Sequence, residues 1–379
     1  MNDPSPQRAR AEPEGFWSRI RLSCLFCIVL LAAACSDASG PEPHDGVDLD
    51  RLFATATASE IAAVQGDWAS RDVAASGFRV ESSVPFAVGG AAGRLSIVSH
   101  VVDGNRHFGA VAVPEGAAEG SLPVLVYSHG GDAGVSTDEL LLIVLALGAA
   151  SSNDVWVVPS FRGEELRRGT ESYWSGGEPS PWDRDVDDAL ALISAVLAHE
   201  PATDPERVAV LGFSRGAGVG LLMAARDPRI DAAVCFFGPT DFFDPWVRDI
   251  VEEALQDQVR DLPGLAWLNE NYIQPLRQGM LSEEVVRMEL VRRSAVLFAP
   301  SLPAVQVHHG TADLVVSYSQ AQRLDQVMRA LGRTLPSYQL HTYPGGGHNP
   351  LTLPGSVDRT AAFLADFAAG RLSAAARSP

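Results

Sequence analysis

A strand that ends on a serine between two glycines and turns at once into a helix constrains this chain more than any other feature. Val208-Ala209-Val210-Leu211 is continuously apolar, Gly212-Phe213-Ser214-Arg215-Gly216 follows, and Ser214–Ala225 reads as a helix. A serine on so tight a strand-to-helix turn needs glycine on both sides, because a side chain there would meet the strand or the helix. The helix start presents unpaired backbone N–H groups, which favour negative charge developing beside the serine. This spacing marks Ser214 as a candidate nucleophile and the N–H of Arg215 as one oxyanion donor.

A serine nucleophile needs a base, and the base needs an acid to orient it. Downstream, Val305-Gln306-Val307 runs into His308-His309-Gly310-Thr311-Ala312-Asp313, and a last strand at Tyr338–Thr342 runs into Tyr343-Pro344-Gly345-Gly346-Gly347-His348. His348, on a glycine loop after the last strand, is the candidate base. Asp313 is the candidate acid, with Asp241 in Gly238-Pro239-Thr240-Asp241 as second choice. The second oxyanion donor is expected from Ser128-His129-Gly130-Gly131, at Gly130 or Gly131, while His129 itself reads as structural. A possible substrate rim is formed by Arg162 and by the aromatic residues Tyr173, Trp174, Trp182, Phe242, Phe243 and Trp246, for which ordinary packing is the competing reading; Arg162 also has Glu164 and Glu165 as candidate ion-pair partners. Arg215, a cation at a helix start, opposes the helix dipole. It either pairs with a carboxylate or reads an anionic group of the substrate.

The surrounding pattern is α/β. Alternating stretches from Gly77 to Pro114 read as two or three antiparallel strands. Short apolar runs at Pro123–Tyr127, Val155–Val158, Val208–Leu211, Ala232–Phe236 and Ala304–Val307 then alternate with helical stretches, as in a mostly parallel sheet with helices on both faces. Between Pro239 and Pro300 lie about sixty residues of polar helical character, far more than a crossover needs, which reads as a helical insertion, or lid, at about 239–300.

Composition removes several classes. All 29 basic residues are arginine, so no lysine is present for a Ser–Lys dyad, a Schiff base or a phosphate loop. The formal charge of -18 argues against nucleic acid. No metal or cofactor site is expected, since His308 and His309 would face opposite sides of a strand. Cys235 reads as a buried small hydrophobe.

The N-terminus reads as a targeting segment. Arg8, Arg10, Arg19 and Arg21 precede an apolar run from Leu22 to Ala34, which at about 13 residues is shorter than the ~20 of a membrane span. The run ends in Leu31-Ala32-Ala33-Ala34-Cys35. This resembles a bacterial lipobox, which implies a signal peptide at 1–34, a lipidated Cys35 and a tether at 35–49 before a catalytic domain at 50–379. Cys24 and Cys27 would leave with the signal.

From Phe108 to Phe367 the chain resembles the catalytic domain of the prolyl oligopeptidase family and its dienelactone-hydrolase-like relatives among the α/β hydrolases. The resemblance is carried by Tyr127-Ser128-His129-Gly130-Gly131, Pro159-Ser160-Phe161-Arg162-Gly163, Asp185-Val186-Asp187-Asp188, Gly212-Phe213-Ser214-Arg215-Gly216, His309-Gly310-Thr311-Ala312-Asp313 and Pro344-Gly345-Gly346-Gly347-His348. It implies an α/β-hydrolase fold with the insertion after the sixth strand. Two positions depart from the family pattern, Ala217 for the second glycine after the elbow and Asp132 for the proline after His-Gly-Gly. The stretch between Cys35 and Phe108 is too short for the multi-bladed β-propeller of many family peptidases. The expected function is an exported serine hydrolase of the bacterial cell envelope, or a secreted one if not lipidated, with the lipid anchor as its sole membrane contact. It would act on carboxylic esters or short acyl-peptides through a Ser-His-Asp triad and an acyl-enzyme. The alternatives are a prolyl oligopeptidase-type peptidase and a catalytically silent binding lipoprotein.

Overall fold

Twelve strands form among the described residues, in chain order β1 (Ser76–Val88), β2 (Ala91–Val102), β3 (Asn105–Pro114), β4 (Leu122–Ser128), β5 (Val135–Ser136), β6 (Val155–Pro159), β7 (Glu165–Arg168), β8 (Glu171–Trp174), β9 (Thr203–Phe213), β10 (Ile230–Phe236), β11 (Ala304–Gly310) and β12 (Tyr338–Tyr343). The computed structural model describes residues 46–88 and 91–372. The expected signal peptide, Cys35 and all but the last residues of the expected tether lie outside them.

Nine strands make one sheet in the order β1-β2-β3-β6-β4-β9-β10-β11-β12. The first three and β6 pair antiparallel, and the ladder from β6 to β12 is parallel. β5, β7 and β8 form a separate small sheet.

Alternation along the central strands fills two cores, as a sheet buried on both faces requires. Val124, Val126, Val208, Val210, Ala233 and Cys235 face one core, with helices Arg184–His199 and Arg215–Arg226 packed over them. Leu125, Tyr127, Ala209, Leu211, Val234 and Phe236 face the other, covered by helices Thr137–Leu147 and Ser356–Ala368. Burial pushes the Cys235 thiol up to about 12, which leaves it inert at neutral pH.

The stretch after β10 is helical, with helices Pro245–Leu255, Leu265–Leu268, Gln274–Arg277 and Glu283–Arg293 before β11. β10 is the seventh strand of the large sheet in chain order, and the sixth when the N-terminal run is read as two strands. The insertion packs on the N-terminal helices Leu49–Leu52 and Ala58–Ser70. Arg287 donates to the carbonyls of Leu52, Ala54 and Thr55, and Trp68 lies 4.4 Å from Phe298. Packing is thus already present inside the stretch expected as tether: Asp48 caps the first helix, and Val47 and Leu49 are buried. Two isolated apolar residues in a Pro/Gly/Asp-rich stretch carry no periodicity from which this could be read. Among the described residues, no helix is long and apolar enough to cross a membrane.

Candidate active site

Ser214 sits between the end of β9 and the helix Arg215–Arg226 with φ 52° and ψ -123°, a conformation rare outside glycine. Its N–H donates to the carbonyl of Phe236 at 2.9 Å, which ties the turn to the neighbouring strand. The flanking glycines are there for close approach. A Cβ on Gly216 would fall 2.1 Å from the Ser128 carbonyl oxygen, and one on Gly212 would fall 2.4 Å from that of Gly216. The departure at Ala217 is accommodated across the turn, where a Cβ at Gly238 would lie 2.5 Å from the Ala217 methyl.

The Ser214 hydroxyl lies 2.9 Å from Nε2 of His348, and Nδ1 of His348 lies 2.8 Å from Oδ2 of Asp313. The other Asp313 oxygen accepts the N–H groups of Val315 and Val316 at 2.9 and 3.0 Å. Burial alone would raise the Asp313 carboxyl, but hydrogen bonds from His309 and His348 and the backbone N–H of Val316 hold it well below the usual carboxylate range. The acid remains ionised, as an orienting partner for an imidazole must.

These two side chains hang from the ends of adjacent strands, β11 and β12. The loops that carry them are laced together: Thr311 N–H donates to Tyr343, Ala312 N–H donates to Gly346, and the Thr311 hydroxyl accepts from the Gly345 N–H. A Cβ on Gly310 would lie 2.1 Å from the Gly346 oxygen, so this crossing admits no side chain.

The loop after β4 runs beside the nucleophile, where a Cβ on Gly130 would lie 3.2 Å from that of Ser214. The Arg215 N–H opens its helix and has no intrahelical acceptor. The Arg215 side chain is fully buried and turns away to form the hub of an ionic cluster. It donates to Asp185 at 2.6 and 3.2 Å, to Glu164, and to the carbonyl of Gly131 at 3.0 Å. Of the two readings of this arginine, the carboxylate pairing is the one observed. Burial raises both carboxyls of the cluster above their ordinary values despite the guanidinium between them. His129 is buried against Phe161 with ring centroids 4.3 Å apart, and burial lowers its pKa to about 4, so it is neutral.

Of the expected rim, Arg162, Trp182 and Phe242 are buried and are corrected to packing and ion pairing. Arg162 is buried and holds Asp188 in a bidentate pair at 2.6 and 2.8 Å, instead of Glu164 or Glu165. Phe242 is wholly buried against Trp182. Tyr173 turns its hydroxyl to Ser82 and its ring to Phe108, on the first strands of the sheet. Trp174 is exposed on the same hairpin, and Trp246 is partly buried on the core at the start of the insertion. Aromatic clustering in sequence does not distinguish the inside of a fold from its surface. Asp241 is committed elsewhere, to the Phe243 N–H and to Arg323, and Asp244 caps the first helix of the insertion.

Three contributors to the site were not assigned these roles from the sequence. Phe237, with φ 41°, packs its ring 4.3 Å from that of His348. His309 lies 3.5 Å from Asp313 while contacting the Val316 carbonyl at 3.0 Å. The buried indole of Trp182 donates to the Arg215 carbonyl at 3.0 Å, and Gly264 of the insertion lies against its ring. A signal for the ionic cluster did exist, in the acids of Asp185-Val186-Asp187-Asp188 on an otherwise apolar helix.

A mostly parallel sheet with a serine elbow after one strand, and the acid and histidine after the last two, defines a class of protein. Residues 124–363 match the family model described as the alpha/beta hydrolase family, and the chain belongs to that family. Among solved structures it is similar to acetyl xylan esterase 1 from Thermoanaerobacterium sp. JW/SL YS485, with TM-score 0.59 and 19% identity over 85% of this chain and 99% of that one. It is also similar to an acetyl xylan esterase from Paenibacillus sp. R4, with TM-score 0.54 and 18% identity over 86% and 96% of the two chains. The Pyrococcus horikoshii acylaminoacyl peptidase aligns with TM-score 0.50 and 16% identity over 80% of this chain, which spans only 42% of that one. At these identities the likeness is one of fold. In sequence, 95 residues are 36% identical to the polyketide transferase ATR5 of Stachybotrys chlorohalonatus, a match covering 24% of this chain and 32% of that relative.

Proposed function

We propose that this chain is a serine hydrolase that cleaves carboxylic esters or short acyl-peptides through an acyl-enzyme on Ser214. The observation that carries the reading is the continuous chain from Asp313 through His348 to Ser214, with links of 2.8 and 2.9 Å. In this mechanism the Ser214 oxygen attacks the carbonyl carbon while Nε2 of His348 takes its proton. The backbone N–H groups of Arg215 and of the Gly130-Gly131 loop receive the oxyanion. His348 then gives the proton to the departing alcohol or amine, and a water molecule activated by the same nitrogen releases the acid. A fluorophosphonate probe tests this directly. Strong labelling that disappears in Ser214→Ala supports it, and absence of labelling in the folded wild-type protein refutes it in favour of a binding role.

The reading extends to an exported lipoprotein held by Cys35, supported by the arginines, the short apolar run and the small residues before that cysteine. Detergent phase partitioning of the expressed full chain is the test. Wild type should enter the detergent phase and Cys35→Ser the aqueous phase, and equal partitioning of the two sinks the proposal.

A further inference from the structure

Beside the nucleophile elbow, on the face covered by helices Thr137–Leu147 and Ser356–Ala368, lies an open cavity of about 620 Å³. That volume falls within the range of small-molecule sites. Its floor is the stacked pair Phe213 and Phe236, with ring centroids 4.6 Å apart. Its walls are Leu142 and Ile143 of the first helix and Leu351 of the loop after the catalytic histidine. Two features connect it with the chemistry. Phe213, in the lining, immediately precedes Ser214, and Asn349, also in the lining, immediately follows His348, so the lining adjoins both residues along the chain. Leu142 and Leu351 line the cavity yet are 65% and 91% exposed, apolar surface that an apolar occupant would cover. Its one acidic residue is Glu139, which disfavours an anionic occupant such as a free fatty acid.

We propose that this cavity receives the alkyl chain of a neutral ester whose carbonyl lies at Ser214, so that the enzyme selects hydrophobic esters over acetates. The proposal rests on the hydrolase reading above. It is separate from the aromatic rim expected from sequence and shares no residue with it. Alkyl chains on the acyl and on the alcohol side of an ester present the same chemistry, and the assay distinguishes them.

The experiment measures kcat/KM for p-nitrophenyl acetate, butyrate and octanoate, and for methyl and octyl acetate. On one of the two arms, kcat/KM should rise roughly fourfold per methylene until the cavity fills. Leu142→Asp places a charge at the mouth and Ala146→Trp fills the space, both at exposed positions that the fold tolerates. Each should lower the long-to-short ratio of that arm at least tenfold. Flat chain-length series, or an unchanged ratio in both variants, overturn the proposal while acetate turnover keeps the hydrolase reading. If neither turnover nor fluorophosphonate labelling occurs, the hydrolase reading fails, and octyl acetate titrated calorimetrically into Ser214→Ala decides the cavity alone. Binding that is lost on adding Leu142→Asp supports the assignment, and absence of binding overturns it.

Discussion

The guanidinium of Arg215 donates to the carbonyl of Gly131 at 3.0 Å. One residue thus joins the two halves of the expected oxyanion site, its backbone at the head of the nucleophile helix and its side chain on the loop after β4. The same side chain pairs with Glu164 and Asp185, so the loop is tied to a buried cation.

Removing that cation should be costly. Arg215→Met leaves two buried carboxyls without their cation, and breaking a buried pair in this way costs about 3–5 kcal/mol. Thermal melts should show the loss, and kcat should fall with it as the Gly131 peptide is released. Adding Glu164→Gln and Asp185→Asn should recover part of the stability. A melting temperature equal to wild type in Arg215→Met would contradict this account.

Asp313→Asn should lower kcat by roughly 10⁴, because an amide favours the wrong imidazole tautomer. The pH behaviour of the native acid follows from its depressed pKa. Its contribution to stability is fully present above the unfolded carboxylate pKa of about 3.9 and is lost as pH falls through the still lower folded value. Urea titrations of wild type and Asp313→Asn should therefore converge as the solution becomes strongly acidic.

Asp154 titrates in the opposite sense. Burial pushes its carboxyl up to about 7, against a downward pull from Arg207. A raised carboxyl stabilises the fold below the unfolded pKa and loses that contribution as pH climbs through the folded one. Asp154→Asn should gain stability over wild type between about pH 4 and pH 7, by an amount on the order of 2–4 kcal/mol at the upper end. Chemical denaturation at pH 4.5 and pH 7.5 reads the difference, and a gap independent of pH would rule the shift out.

The glycines around Ser214 should differ in tolerance. Gly216→Ala drives a methyl to 2.1 Å from a backbone oxygen and should prevent a stable fold or abolish activity. Gly130→Ala meets its nearest atom at 3.0 Å, so the protein should fold with reduced turnover. Circular dichroism with p-nitrophenyl ester assays separates the two outcomes.

The strain at Ser214 should be recoverable. A non-glycine residue in this conformation costs about 1–3 kcal/mol. Ser214→Gly should therefore be inactive yet more stable than Ser214→Ala, a comparison that thermal melts can make.

The parallel strands β4, β6, β9, β10 and β11 were legible because each carries a continuous apolar run, as a sheet buried on both faces requires, whereas the short polar strands β5, β7 and β8 carry none. Ser214, His348 and Asp313 were legible because each follows a strand on a glycine-bearing loop, where local sequence and global position coincide. The rim was not legible. Phe242 and Trp246 are equally aromatic, yet Phe242 is buried and Trp246 only partly so, a distinction that depends on which element packs over each. The alkyl cavity escaped for the same reason: Leu142, Phe213 and Leu351 lie on three elements far apart in the chain. The ion pairs were half legible, since Arg162 and Arg215 announced a need for carboxylates without saying which acid each would reach.

Because Asp313 and His348 are suspended from neighbouring strands of one parallel ladder, the distance between them is set by backbone pairing of β11 with β12. The long helical excursion after β10 enters upstream of both. It can therefore be lengthened, shortened or exchanged without altering the separation of acid and base. The spacing that proton transfer needs is thus drawn from the ladder alone, and the excursion is left free to vary.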